Sequence, residues 1–196
     1  EGGNEPEQPQ EPEQPSTVDH SAETLAICAD AYDMFNESNV AWINATHAYD
    51  TDNYYGDGTS SQKALKWTDC AASENMMLYV NADKSAVNVS STIYIEFYIK
   101  NVGHTSTADL TGVIIRLYNG SNTTKVDGYQ DVKAYKSYNT DKRTDAGNGW
   151  YYYKLPLSAA GTDGAAFDRV RLSVNVAFDD GEILYIDGLR IIYEEA

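Results

Sequence analysis

The sequence predicts an all-β fold, an antiparallel two-sheet β-sandwich, on three observations. Apolar and polar residues alternate with a period of two over several short runs. Clusters of Gly, Asn, Asp and Ser, which turn a chain back on itself, cut these runs apart. No stretch sustains the 3.6-residue period of an amphipathic helix. Two stacked antiparallel sheets are the natural way to bury one face of so many strands.

Residues 1 to 18 (EGGNEPEQPQEPEQPSTV) repeat Glu, Pro and Gln and hold Pro6, Pro9, Pro12 and Pro15. Such a segment offers nothing to a core, so a disordered linker is expected there, tethering the folded unit to other domains of the same polypeptide. The folded domain is expected over residues 19 to 196. In SAETLAICADAY, Ser21 and Thr24 could cap a helical turn, but the pattern that follows does not continue it. Strands are expected near residues 25 to 35, 40 to 47, 62 to 69 and 75 to 81, then in STIYIEFYIK. There Ile93, Ile95, Phe97 and Ile99 point one way, and Tyr94, Glu96, Tyr98 and Lys100 the other. Further strands are expected near 111 to 119, 129 to 138 and 150 to 157. In RVRLSVNVAF, Val170, Leu172, Val174, Val176 and Phe178 oppose Arg169, Arg171, Ser173 and Asn175, and a last strand runs near 182 to 194. NVGHTSTADLTG, YNGSNTTKVDG and NTDKRTDAGNG read as polar connections.

The 196 residues carry a net charge of −16, which repels phosphate backbones and anionic headgroups. Neither nucleic acid nor membrane insertion is expected, since no run approaches ~18 apolar residues. The opening Glu1-Gly2-Gly3 is neither an initiator Met nor a signal peptide, so the start is expected to be trimmed. Cys28 and Cys70 could form one disulfide or remain two buried thiols. Without a CxxC spacing, and with His20, His47 and His104 scattered, a structural zinc site is not expected.

No GxSxG, HExxH, GxGxxG or P-loop pattern occurs, and no enzyme is expected. The 16 Tyr, against 3 Trp and 4 Phe, are more informative. Sugar rings lay apolar C–H faces on aromatic planes while polar neighbours hydrogen-bond the hydroxyls. Candidate binding residues are Tyr54 in DTDNYYGDG, Glu96 and Tyr98 on the clearest strand, Arg116 and Tyr118, Tyr135 and Tyr138, and Trp150. Trp67, which shares a face with Leu65, belongs in the core, whereas Trp42 and Trp150 could be core edge or groove wall. Asp187 interrupts the apolar run ILYIDGLRII, where a buried carboxylate needs a cation, several donors, a bend at Gly188 or a partner such as Arg190.

The succession DMFNES, YYGDGTSSQKALKW, TIYIEFYIK, GWYYYKLPLS, RVRLSVNVAF and LYIDGLRIIYEE resembles the galactose-binding-like jelly-roll of carbohydrate-binding modules in secreted bacterial polysaccharide-degrading or polysaccharide-binding proteins. The resemblance covers about residues 25 to 195. It implies a sandwich that binds a plant-type glycan or starch on a sheet face or at loop tips, with a structural calcium. Its ligands would be Asp187, either Asp33 or Glu37, and oxygens of the Gly58 to Lys63 turn, Ser61 among them. The resulting expectation is a secreted or cell-surface, monomeric, noncatalytic carbohydrate-binding module. The alternatives are a structural or adhesive sandwich module without glycan binding, and a small jelly-roll glycan lyase or hydrolase.

Overall fold

The computed structural model describes residues 23–25, 40–55, 63–81, 83–89, 93–105, 112–126, 132–134, 142–157 and 165–194. These form fourteen strands: β1 (Glu23–Leu25), β2 (Val40–Ile43), β3 (His47–Asp50), β4 (Ala64–Thr68), β5 (Asn75–Tyr79), β6 (Val87–Asn88), β7 (Ile93–Val102), β8 (Val113–Tyr118), β9 (Val132–Ala134), β10 (Arg143–Gly147), β11 (Trp150–Pro156), β12 (Ala166–Phe167), β13 (Arg169–Val174) and β14 (Ile183–Glu194). Every pairing is antiparallel. A seven-stranded sheet has the order β10-β11-β7-β14-β4-β3, with β1 also on β14, and a five-stranded sheet has the order β2-β5-β13-β8-β9. The pair β12-β6 stands beside them. The chain is therefore the all-β, antiparallel two-sheet sandwich that the alternation predicts.

The inward faces follow the period of two. Ile93, Ile95, Phe97 and Ile99 of β7 meet Val170, Leu172 and Val174 of β13 in one apolar core, with Trp67 from β4 fully enclosed. Each such large side chain contributes roughly 1.5–3 kcal/mol by leaving water. Cys70 sits at the edge of this core as a buried thiol whose Sγ donates to the Thr68 carbonyl at 3.5 Å. Burial first, then the neighbouring Glu74 carboxylate, pushes its pKa up to about 12. Cys28 and residues 1 to 18, where a linker is expected, lie outside the described residues, as does most of the strand expected at 25 to 35.

Two departures from the expected strands have local causes. The run expected as one strand over 40 to 47 is two, on different sheets: β2 pairs with β5, and β3 with β4. Asn44 makes the corner, its Oδ1 accepting from the Asn75 N–H at 2.8 Å and its own N–H donating to the Asn75 carbonyl at 3.1 Å. The second is β10, read as a polar connection but hydrogen-bonded to β11 through a turn in which Gly147, Asn148 and Gly149 all have positive φ. That turn chemistry belongs to hairpins, and β10 escapes period-two reading because Thr144 and Asp145 are both exposed.

Candidate functional site

Each sheet has an outward face, and the sequence candidates divide between them. On the seven-stranded sheet, one rung runs Tyr152–Tyr98–Asp187 across β11, β7 and β14, and the next Trp150–Lys100–Tyr185. The segment after β3 reaches over this surface. Asp50 Oδ1 accepts from the N–H groups of Asp52 and Asn53 at 2.8 and 2.9 Å, making a turn, while Oδ2 lies 3.6 Å from Lys66 Nζ. Partial burial pushes the Asp50 pKa up, but those two N–H groups, Asn53 and Lys66 outweigh it and hold the carboxyl below its ordinary value. The turn delivers Tyr55 onto Tyr98, with ring centroids 3.7 Å apart and planes 13° from parallel.

This face is a second small core. Tyr55, Tyr98, Trp150, Tyr152 and Tyr185 are buried together, with Tyr54 half-buried at the margin. Their polar companions are paired internally. Tyr152 OH donates to Glu96 Oε2 at 2.6 Å, and the Arg190 guanidinium bonds Glu96 Oε1. Burial raises the Tyr185 hydroxyl pKa, against the opposing pull of Lys66. Thus Glu96, Tyr98 and Trp150, expected to meet a sugar, are brought together with only 1–3% of their surfaces in solvent.

The five-stranded sheet turns Asn75, Met77 and Tyr79 of β5, Arg169, Arg171 and Ser173 of β13, and Ile114, Arg116 and Tyr118 of β8 away from the core. Register assembles a rung Trp42–Met77–Arg171–Arg116 and, beside it, Tyr79–Arg169–Tyr118. Met77 and Tyr118 are buried, the three arginines half-buried, and Trp42 is 41% exposed. The Arg169 guanidinium lies 5.1 Å from the Tyr79 ring centre, and that of Arg171 4.8 Å from the Tyr118 ring centre. Asp168 Oδ2 stands 3.5 Å from Arg169 Nη2. An exposed indole followed by guanidinium donors can stack one sugar and hydrogen-bond the next.

Arg116 and Tyr118 are the sequence candidates placed here. Tyr135 and Tyr138 lie outside the described residues, just beyond β9. Arg169 and Arg171 join them here, on the polar side that alternation in RVRLSV marks. Of the two sequence alternatives for Trp42, core edge or groove wall, its 41% exposure rules out a core position.

For a metal, Asp33, Glu37 and Ser61 lie outside the described residues. Asp187 is 2% exposed; its Oδ2 accepts from the Tyr55 N–H and its Oδ1 from the Gly188 N–H, both at 2.8 Å. Gly188 has φ +55°, and the pairing of β14 shifts register between Asp187 and Arg190. The carboxylate thus braces a bulge and anchors the Tyr55 segment, while Arg190 serves Glu96. These N–H donors answer its charge. A different group, His104, Asp179 and Glu182, brings potential ligand atoms within 4.8 Å of one another. Its oxygens already serve the protein: Glu182 Oε1 accepts from Asn101 Nδ2 at 2.6 Å and lies 3.1 Å from His104 Nδ1, and Asp179 Oδ2 accepts from both N and Oγ1 of Thr105 at 2.8 Å.

No family model and no curated protein matches the sequence. Among solved structures, the glycoside hydrolase domain of Endo-D from Streptococcus pneumoniae R6 is 14% identical, with a TM-score of 0.46, covering 79% of this chain and 21% of that one. The chain thus spans about a fifth of that structure's length. The family 30 carbohydrate-binding module of a cellulosomal cellulase from Clostridium thermocellum is 14% identical, TM-score 0.44, covering 89% of this chain and 93% of that one. CBM27-1 of Caldicellulosiruptor saccharolyticus, solved with mannohexaose, is 11% identical, TM-score 0.40, covering 93% and 97%. The β-sandwich itself rests on the strand pairing of this chain.

Proposed function

We propose that the domain is a noncatalytic carbohydrate-binding module that directs a secreted or cell-surface multidomain protein to a polysaccharide. The observation that carries this reading is Trp42, an exposed indole on the outward face of the five-stranded sheet, on the rung that continues to Arg171 and Arg116. Indole planes stack on sugar C–H faces, and guanidinium groups hydrogen-bond what the ring presents at its edge. Arg116 and Tyr118 extend the same face in this reading. The linker of residues 1 to 18 raises the local concentration of attached domains on the polymer. The reading includes a structural calcium at Asp187, supported by the burial of that carboxylate within an apolar run.

Affinity electrophoresis through gels containing starch, xylan, mixed-linkage β-glucan, xyloglucan or mannan, with calcium or with chelator, tests it. Retardation by any one polymer supports a binding module, and its chelator dependence reads the metal. Unretarded migration throughout favours a structural or adhesive module. One observation supports that second reading: the richest aromatic cluster, around Tyr98, is buried against its own chain.

A further inference from the structure

Where β7 ends and β14 begins, Val102 pairs with Ile183, and the segments next to them pack backbone against backbone. Gly103 has φ +83°, and a Cβ there would stand 3.1 Å from the Gly181 carbonyl oxygen, so a side chain would be both strained and crowded. The Glu182 N–H donates to the Asp179 carbonyl at 3.0 Å, closing a turn around Gly181. The two segments bring His104 against Asp179 and Glu182, although Glu182 is 78 residues away in sequence. A spacing rule for zinc ligands reads only residues close in sequence and is blind to such a group. His104 Nδ1 lies 3.1 Å from Glu182 Oε1 and 3.7 Å from Asp179 Oδ2. Tetrahedral zinc, with bonds of about 2.1 Å, sets neighbouring ligand atoms about 3.4 Å apart, between those two separations.

The imidazole is enclosed and aimed into this cluster. Only 6% of the His104 side chain meets solvent, and none of that of Glu182. His104 Nε2 is buried without a hydrogen-bond partner among the described residues, so the ring directs its polar contacts there through Nδ1 to two carboxylates. Those carboxylates are oriented in turn. Asn101 Nδ2 donates to Glu182 Oε1 at 2.6 Å, the Asp179 N–H to Glu182 Oε2 at 2.8 Å, and Thr105 N and Oγ1 to Asp179 Oδ2. Bonds of this kind fix the ligands of a metal from outside. We propose that His104, Asp179 and Glu182 form a zinc site that clamps the two segments together, independent of the glycan-binding reading and of Asp187. A nitrogen ligand beside two carboxylates suits zinc, whereas calcium and magnesium take oxygen ligands. The cation replaces a proton at Nδ1, and the hydroxyl of the exposed Thr105 turns to solvent while its N–H keeps Asp179 in place. The Asp179 side chain is 30% exposed, which opens that side to a water as fourth ligand.

The test titrates the whole chain, stripped with chelator and then held in excess calcium, with zinc chloride by calorimetry, and records thermal melts with and without zinc. The expected result is zinc binding that raises the melting temperature, weakened about tenfold or more in His104→Gln and in Asp179→Asn, with the zinc-dependent rise lost in both. Zinc binding and a melting rise equal in wild type and His104→Gln overturn the assignment and put the ion elsewhere, at His20, His47 or the cysteines. A folded wild type that takes up no zinc also overturns it, leaving the cluster a hydrogen-bonded clasp. A melting rise with calcium alone that His104→Gln abolishes overturns the choice of zinc. If His104→Gln fails to fold, Asp179→Asn decides, since its amide oxygen still accepts from Thr105.

Discussion

On the outward face of the seven-stranded sheet Tyr98 lies beneath Tyr55 with 1% of its surface in solvent, whereas on that of the five-stranded sheet Trp42 keeps 41%. Both faces alternate aromatic and charged residues against an apolar inner face. They differ in what reaches over them. Asp50 and Asp187 bring the segment after β3 onto the first face, where Glu96 and Arg190 meet as opposite charges. On the second face the cross-strand pair is Arg171 and Arg116. An aromatic-rich strand face can therefore become a second core, and the segment that reaches over it decides this.

The largest expected effect breaks the first face. Tyr98→Ala removes a buried ring from the stack and should cost about 3–5 kcal/mol in denaturant unfolding, with no change in polysaccharide retardation of the folded fraction. Glu96→Gln leaves Arg190 beside a neutral amide and should cost about 3 kcal/mol by the same measurement, showing that the carboxylate is structural. If Glu96→Gln instead leaves stability alone and abolishes binding, the roles assigned to the two faces are reversed.

Trp42→Ala should have the opposite profile, a stability change below about 1 kcal/mol with retardation lost, read by thermal melts and affinity gels together. The smallest effect sharpens the account of the Asp50 turn. Because the folded-state pKa of Asp50 lies below its ordinary value of 3.8, its contribution is present above that value and lost as pH falls through the folded pKa. Melting temperature followed from about pH 5 down to pH 2 should therefore fall less steeply in Asp50→Asn than in the wild type.

Much of the fold was legible because alternation is a local property. Ile93 to Ile99 and Val170 to Val174 enter the core as their period demands, and Trp67 shares its inward face with Leu65. Asn44 was harder to interpret, since a strand that changes sheets keeps its β pattern through the corner. The site was less legible for the same reason. Alternation places Tyr98 and Arg171 on outward faces but carries no information about which of those faces another segment will cover. Asp187 could be recognised as a buried carboxylate needing donors, yet its partner, the Tyr55 N–H, is 132 residues away in sequence.

By itself the sequence determined the all-β class, the two sets of inward-facing residues and the outward positions of tyrosines and arginines, because each depends on neighbours one or two residues apart. Only the tertiary structure decided that Tyr55 stacks on Tyr98, that Glu96 receives Arg190, and that Arg116 stands beside Arg171. These depend on strand order and register, set by how two sheets and their connections bury apolar surface together.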